Sequence, residues 1–403
     1  MLQHRSKLLS AAISLAIVSY TPLASAQTFT EAFTGGDVSG AFLLRYEGVE
    51  QDNALDDANA LTLRSTLQYT TENYEGFSAT IQAEDVRIVA GVDEYTVGPT
   101  GFNPGVYSVI ADPETTEVNQ GFIQYTNGDL TAKLGRQVLT LDNHRFIGSV
   151  AWRQDWQVYD ALKVDYSVND KLDLNYSYLG QRERIFAEAA DIDSKDHLLH
   201  AAYKSPIGTL VGYAYLLEQD SPIDNSLDTY GLRLTGAEKL GELDATYLAE
   251  FATQKSEVGA ADFDADYFVL EGGITFSGIT TKLGYESLGS DSGSYGFSTP
   301  LATLHAFNGW ADLFLNTPAQ GLTDTYLNFS GKTLGGTWTA VFHDYNAEDS
   351  TPGIDDLGSE INLQFVKPLS STYRVGIKYA DYSEGDLTLP DTQKLWLWLQ
   401  ASF

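Results

Sequence analysis

Residues 171–180 read KLDLNYSYLG, with an apolar side chain at every even position from Leu172 to Tyr178 and polar side chains between them. Residues 373–379, YRVGIKY, repeat this pattern with apolar residues at the odd positions. Because successive side chains of a β-strand point to opposite faces, each stretch predicts a strand with one apolar and one polar face. A strand of this kind lies between an apolar and an aqueous environment.

Segments with this alternation recur along the whole chain of 403 residues. We count about eighteen of them, with sixteen as the alternative, and find no helical periodicity of useful length. No shift in composition marks a domain boundary. The sequence therefore predicts a single all-β domain built from one closed sheet.

The connections between these segments alternate between long and short. Asn127-Gly128 and Asn169-Asp170 are examples of the short turns. This asymmetry is typical of bacterial outer-membrane barrels, and it predicts a transmembrane, antiparallel, up-and-down barrel with short periplasmic turns and long extracellular loops. The predicted long connections are 47–60, 87–117, 138–156, 181–194, 219–226, 253–264, 289–321, 346–357 and 383–391.

Aromatic residues support a membrane-spanning barrel. The chain has 24 Tyr, 19 Phe and 6 Trp, many of them near predicted strand ends, where outer-membrane barrels carry aromatic girdles. The last segment places Leu395, Leu397 and Leu399 on one face and ends in Phe403. A final strand that ends in Phe is similar to the assembly signal of such barrels.

The first 26 residues are predicted to be a secretory signal peptide. A basic start with Arg5 and Lys7 precedes an apolar stretch that is too short to span a bilayer, and Ala24-Ser25-Ala26 forms a cleavage site. The mature protein, 27–403, would then be a protein of the bacterial cell envelope, located in the outer membrane.

Composition excludes several functions. The absence of cysteine excludes disulfides, zinc-thiolate sites and iron–sulfur clusters. A formal net charge of −31 excludes nucleic acid as a partner. No cofactor is predicted. The acidic loops 47–60 and 181–194 are expected to be solvated, and Ca²⁺ or Mg²⁺ bound by their carboxylates is a weaker alternative.

Loop 138–156, VLTLDNHRFIGSVAWRQDW, combines apolar residues with arginines and is predicted to fold into the barrel and narrow it. Its arginines would form a basic constriction, or would pair with nearby acids and only fix the loop. Trp152 and Trp156 would stack on a sugar ring, or pack against the wall. The candidate pore-lining residues are Arg45, Arg64, Arg136, Arg145, Arg153, Asp160, Lys163, Arg182, Arg184 and Arg233.

The same region resembles a known family. The residues Gly135-Arg136-Gln137, Asn143 to Gly148, Trp152 and Tyr159-Asp160-Ala161 resemble the pattern G-R-Q…R-x-(I/V)-G…W…(F/Y)-D-G of the alginate export family of outer-membrane barrels. This resemblance implies an eighteen-stranded barrel with an arginine-rich, anion-selective pore. It places Arg136, Arg145 and Asp160 on motif positions.

The predicted function is that of an outer-membrane porin, a passive diffusion channel for small hydrophilic solutes, either anionic or similar to oligosaccharides. Export of alginate or another anionic polysaccharide is the first alternative. A barrel enzyme or a secreted carbohydrate-binding β-protein is the second. The histidines lie in no recognisable catalytic motif, so we do not predict an enzyme. Outer-membrane lipid, lipopolysaccharide and the solutes are the expected partners, for a monomer or a trimer.

Overall fold

The computed structural model describes residues 28–98, 103–223 and 225–403. The predicted signal peptide, 1–26, lies outside the described residues. A short helix, α1 (Phe29–Thr34), precedes the strands, and a single turn of 3₁₀ helix, Glu188–Ala190, follows β7. The strands are β1 (Asp37–Gln51), β2 (Ala58–Thr70), β3 (Phe77–Glu94), β4 (Thr115–Asn127), β5 (Leu130–Gln137), β6 (Val158–Asn169), β7 (Leu172–Glu183), β8 (Ile192–Ser205), β9 (Gly208–Glu218), β10 (Asn225–Leu240), β11 (Leu243–Val258), β12 (Ala261–Phe276), β13 (Ile279–Leu288), β14 (Leu322–Thr333), β15 (Gly336–Thr351), β16 (Ile354–Pro368), β17 (Tyr373–Ser383) and β18 (Thr392–Ser402).

The eighteen strands form one closed antiparallel sheet. Each strand pairs with its neighbours in the chain, and β18 pairs back with β1 from Ala41 opposite Ser402 to Gln51 opposite Thr392. Closure satisfies the backbone hydrogen bonds that an open edge would leave unpaired. The predicted fold class and the count of eighteen strands are confirmed. No helix in the described residues is long and apolar enough to cross a bilayer.

The two faces of the sheet differ as the alternation predicts. Along β12, the side chains of Phe268, Leu270 and Ile274 are exposed on the outer surface, whereas those of Tyr267 and Val269 are buried on the inner surface. This period of two follows from the pleat of the strand. The outer surface is therefore an apolar band.

The largest cluster of buried apolar residues lies inside the barrel. It joins wall residues such as Tyr267 and Tyr345 to residues of two long loops, among them Ile147, Leu301 and Phe314. The lumen is thus partly filled by packed loops, and these loops determine where the functional site lies.

Two of the predicted long connections are wrong. In 253–264, β11 continues to Val258 and β12 begins at Ala261, and in 346–357, β15 ends at Thr351 and β16 begins at Ile354. Both are tight hairpins. Above the apolar band both faces of a strand meet water, so the apolar alternation fades although the strands continue. The sequence reading also missed α1, which is less than two turns long and begins with a capping box between Thr28 and Glu31.

Candidate functional site

Loop 138–156 and loop 289–321 meet inside the barrel. The backbone N–H of Gly148 donates to Leu301 O at 2.7 Å, and that of Thr303 donates to His144 O at 3.0 Å. A Cβ on Gly148 would lie 2.6 Å from the backbone nitrogen of Thr303, so this close approach requires glycine. The two loops therefore pack as one body, which we call the internal loop pair.

Arg145 connects both loops to the barrel wall. Its Nε donates to Glu286 Oε1 on β13 at 2.8 Å, and its Nη2 donates to Asn308 Oδ1 of loop 289–321 at 3.0 Å. The guanidinium also lies over the ring of Phe307, 4.8 Å from its centroid. Arg145 is 2% exposed, so its charge interacts with these protein groups and not with solvent.

Arg153 forms the second connection, to a different part of the barrel wall. Its guanidinium lies 3.1 Å from Glu47 of β1, 3.8 Å from Asp312 of loop 289–321 and 3.9 Å from Asp112, which precedes β4. Arg45 of β1 also pairs with Asp112. Buried acids compensate the buried guanidinium groups and tie three loops to one wall.

Trp152 and Trp156 are engaged by protein groups. The ring of Trp152 stacks on His305 with centroids 4.7 Å apart, and Lys378 Nζ lies 4.1 Å from the same ring. The guanidinium of Arg64 lies 4.9 Å from the ring centroid of Trp156. These contacts favour packing over sugar stacking, which stays a prediction.

Most of the other candidate basic residues also face an acid. Arg136 lies 2.9 Å from Asp160 and also pairs with Glu183, and Arg182 contacts Asp196 with two hydrogen bonds of 2.8 and 2.7 Å. Arg233 pairs with Glu250, Lys163 lies 3.0 Å from Asp165, and Arg64 lies 3.9 Å from Glu84. Arg184 differs, because its guanidinium has no ion pair within the described residues. These pairings favour the alternative in which the arginines fix the loops.

Sequence reasoning did not place loop 289–321 inside the barrel. The signal was present, since its 33 residues include only two charged ones, Asp291 and Asp312, beside large apolar residues such as Phe297, Trp310 and Phe314. The prediction for loop 138–156 depended on its arginines, and loop 289–321 has none. An acid-poor, apolar loop is the more general indication of burial.

His305 of loop 289–321 lies between Asp312 of the same loop and Lys378 of β17. Burial lowers the pKa of His305 to about 3, so the ring is neutral at physiological pH. Its Nδ1 lies 2.7 Å from Asp312 Oδ1, and its Nε2 lies 2.6 Å from Lys378 Nζ. A neutral ring that donates from Nδ1 and accepts at Nε2 satisfies both contacts.

Carboxylates also approach each other in the lumen. Oxygens of Glu84 on β3, Glu117 on β4 and Asp155 in loop 138–156 lie within 4.8 Å of one another. Burial first, and then Glu117 and Glu84, raise the pKa of Asp155 to about 9. A shared proton or an oxygen-liganding cation would relieve this repulsion. The sequence had placed its weaker cation prediction elsewhere, in loops 47–60 and 181–194.

A closed eighteen-stranded barrel with an apolar outer band and two loops folded into a charged lumen defines a porin-like barrel of the bacterial outer membrane. Comparison with protein families agrees. Residues 6–148 match the family described as Campylobacter major outer membrane protein. The comparison with curated proteins found no match.

Solved porin structures have the same fold. The chain is similar to Pseudomonas aeruginosa OccK9 (OpdG), with a TM-score of 0.72 and 14% identity over 92% of this chain and 99% of that one. It is also similar to Acinetobacter baumannii OccAB4, with a TM-score of 0.69 and 14% identity over 91% of this chain and 97% of that one. For Pseudomonas aeruginosa OpdK, solved with vanillate, the TM-score is 0.71 and the identity 12%, over 91% of this chain and 98% of that one. At these identities the likeness establishes the fold.

These findings correct the resemblance to the alginate export family. The family that matches is that of the Campylobacter outer membrane protein, and the similar structures are Occ channels. The residues that carried the resemblance have a local explanation. Arg136 and Asp160 form an ion pair between the adjacent strands β5 and β6, a contact that different barrels can use. Because the neighbouring Tyr159 points inward to Gly148 O, the alternation of the strand places this pair on the outer face of the sheet, and the prediction that these two residues line the pore is wrong.

Proposed function

We propose that the chain is a passive diffusion channel for small hydrophilic solutes, and that it has neither a catalytic role nor a cofactor. The observation that carries the proposal is the distribution of exposure in the lumen. The internal loop pair is buried, with Arg145 and Arg153 almost fully covered, whereas Lys163 and Asp165 on the inner face of β6 keep 23% and 41% of their side chains exposed. Water therefore reaches a charged wall beside the packed loops, as diffusion requires.

The pairing of charges supports weak ion selectivity. The arginines of the internal loop pair are compensated by acids, so the constriction has little net positive charge. Most of the net charge of −31 must then lie elsewhere, and acidic extracellular loops attract cations to the mouth. We expect a cation-to-anion permeability ratio above one and below about threefold at physiological salt, where screening is strong.

Planar-bilayer recording of the purified protein tests this function. Stable conductance steps with a small cation-selective reversal potential in a salt gradient are the expected result. Liposome swelling should be fast with a pentose and slow with a trisaccharide, because the internal loop pair narrows the barrel. Heat-unfolded protein serves as the control. The proposal would be contradicted if the bilayer showed no conductance although the gel mobility of the protein shows that it is folded.

The surroundings and assembly are part of the same proposal. The apolar outer band suits membrane lipid, and lipopolysaccharide is the expected partner of the extracellular rim. Native mass spectrometry in detergent distinguishes a monomer from a trimer.

A further inference from the structure

A cavity of about 410 Å³ lies at the extracellular side, between the end of β7 and loop 289–321. Arg184 lines it on one side. The hydroxyl-bearing residues Ser298, Thr299 and Thr317 line it on the other, together with Leu304 and Leu315. A cavity of this size holds a small solute rather than a polymer.

Arg184 is the basic residue of this cavity, and its guanidinium is uncompensated. No acid lies within ion-pair distance of it in the described part of the chain, and its Nε is buried without a hydrogen-bond partner. Asp191 accepts the backbone N–H of Arg184 at 2.8 Å, outside the guanidinium. Burial of the guanidinium lowers the pKa of Arg184.

Arg182 provides the contrast within the same strand end. It lines a smaller neighbouring cavity of about 160 Å³, and its two hydrogen bonds to Asp196 already pair its guanidinium with a carboxylate. Two arginines two residues apart therefore differ in what they can bind. A guanidinium has donors only, so an unsatisfied one requires an acceptor, and an oxyanion supplies two acceptors in the matching geometry.

We propose that the cavity at Arg184 is a binding site for a small oxyanion carried on a hydroxylated solute. The guanidinium binds the oxyanion, the Ser and Thr hydroxyls contact the hydroxyl groups of the solute, and Leu304 and Leu315 contact its carbon skeleton. The inference deepens the proposed function, on which it rests, because it adds a recognition step at the mouth of the channel.

Isothermal titration calorimetry of the detergent-purified protein tests the site with two anionic probes, inorganic phosphate and glucuronate, and with neutral glucose. We expect saturable binding of at least one anion and weaker binding of glucose. Arg184→Gln should weaken anion binding by at least about tenfold, as expected for loss of a charge-assisted pair. Arg184→Lys should fall between, since an ammonium cannot bind two oxygens in parallel.

Lys195→Gln is the matched control. It removes one positive charge from the same rim, where Lys195 is exposed and pairs with Asp220 at 2.9 Å, away from the cavity. This variant should bind like the wild type. Phosphate binding alone would assign a phosphorylated solute, and glucuronate binding alone a carboxylated one.

Three outcomes would overturn the site: neither anion binds, glucose binds as tightly, or Arg184→Gln binds as the wild type does. Heat-dependent gel mobility shows that each variant is folded. Calorimetry does not depend on conductance, so binding without channel activity would refute only the proposed function. Channel activity without binding would refute only this site.

Discussion

The acidic partner of each lumen arginine determines whether that arginine fixes a loop or can bind a solute. The number of arginines matters less. Arg145 and Arg153 belong to the same loop, yet each is neutralised by a buried acid on a different wall, Glu286 and Glu47. A buried charge without a partner is costly, so these pairs stabilise the loop position more than they select solutes. Among the described residues Arg184 has no acidic partner, and this is why we propose that it binds a solute.

Asp155 is expected to make the folding stability depend on pH. Its pKa of about 9 lies above the unfolded value of 3.8, so the folded state holds a proton that the unfolded chain has lost. Stability should be highest at low pH and should fall by up to about 1.4 kcal/mol per pH unit as pH rises towards 9.

Unfolding followed by tryptophan fluorescence between pH 5 and 9 measures this slope. Asp155→Asn should flatten it, because the amide cannot ionise. Asp57→Asn, which changes an exposed carboxylate at the end of the loop between β1 and β2, should keep the wild-type slope. An unchanged slope in Asp155→Asn would refute the assignment.

Loops 138–156 and 289–321 are the elements that separate this barrel from an open tube. Val150 and Leu304 have φ angles of 49° and 58°, a backbone conformation that bulky residues rarely adopt. The packing of the internal loop pair imposes these conformations, because only the surrounding structure can hold such backbones.

Gly148→Val tests the contact between the loops. The added side chain would meet the Thr303 backbone and force the loops apart, at an expected loss of about 1–3 kcal/mol in the free energy of unfolding. Conductance and the swelling rate with a trisaccharide should both rise.

Gly272→Val is the control for this change. Gly272 is exposed on β12, and a Cβ there meets no atom within 4 Å. Its channel properties should equal those of the wild type. Equal conductance in Gly148→Val and the wild type would mean that this contact does not limit the aperture.

The whole molecule depends on closure of the sheet. β18 pairs with β17 on one side and with β1 on the other, so its loss would open two edges in lipid. Unpaired backbone groups cannot be satisfied in a bilayer. The barrel is therefore expected to be cooperative around its full circumference.

Deletion of residues 392–403 should abolish refolding into detergent micelles, measured as loss of the heat-dependent gel shift. Refolding in vitro removes any role of Phe403 in cellular assembly. Deletion of residues 28–36, which removes α1 but no strand, should leave the shift. A compact, heat-shifted species without β18 would show that closure is dispensable.

The sequence by itself determined the class of barrel and its eighteen strands. Alternation at period two is a local property of the sequence. Each membrane-spanning strand shows it, as 171–180 and 373–379 do, because one face of the strand meets lipid and the other faces the lumen. It also indicated that loop 138–156 differs from its acidic neighbours. It could not locate the ends of β11 and β15, where the apolar face is lost.

Only the tertiary structure decided how the lumen charges are used. Arg145 meets Glu286 across 141 positions of the chain, and Arg153 meets Glu47 across 106. No local pattern encodes such pairs, because they arise where curved walls and inward loops converge. For the same reason, Arg182 and Arg184 look alike in the sequence, and only the fold gives one of them an acid and the other a cavity.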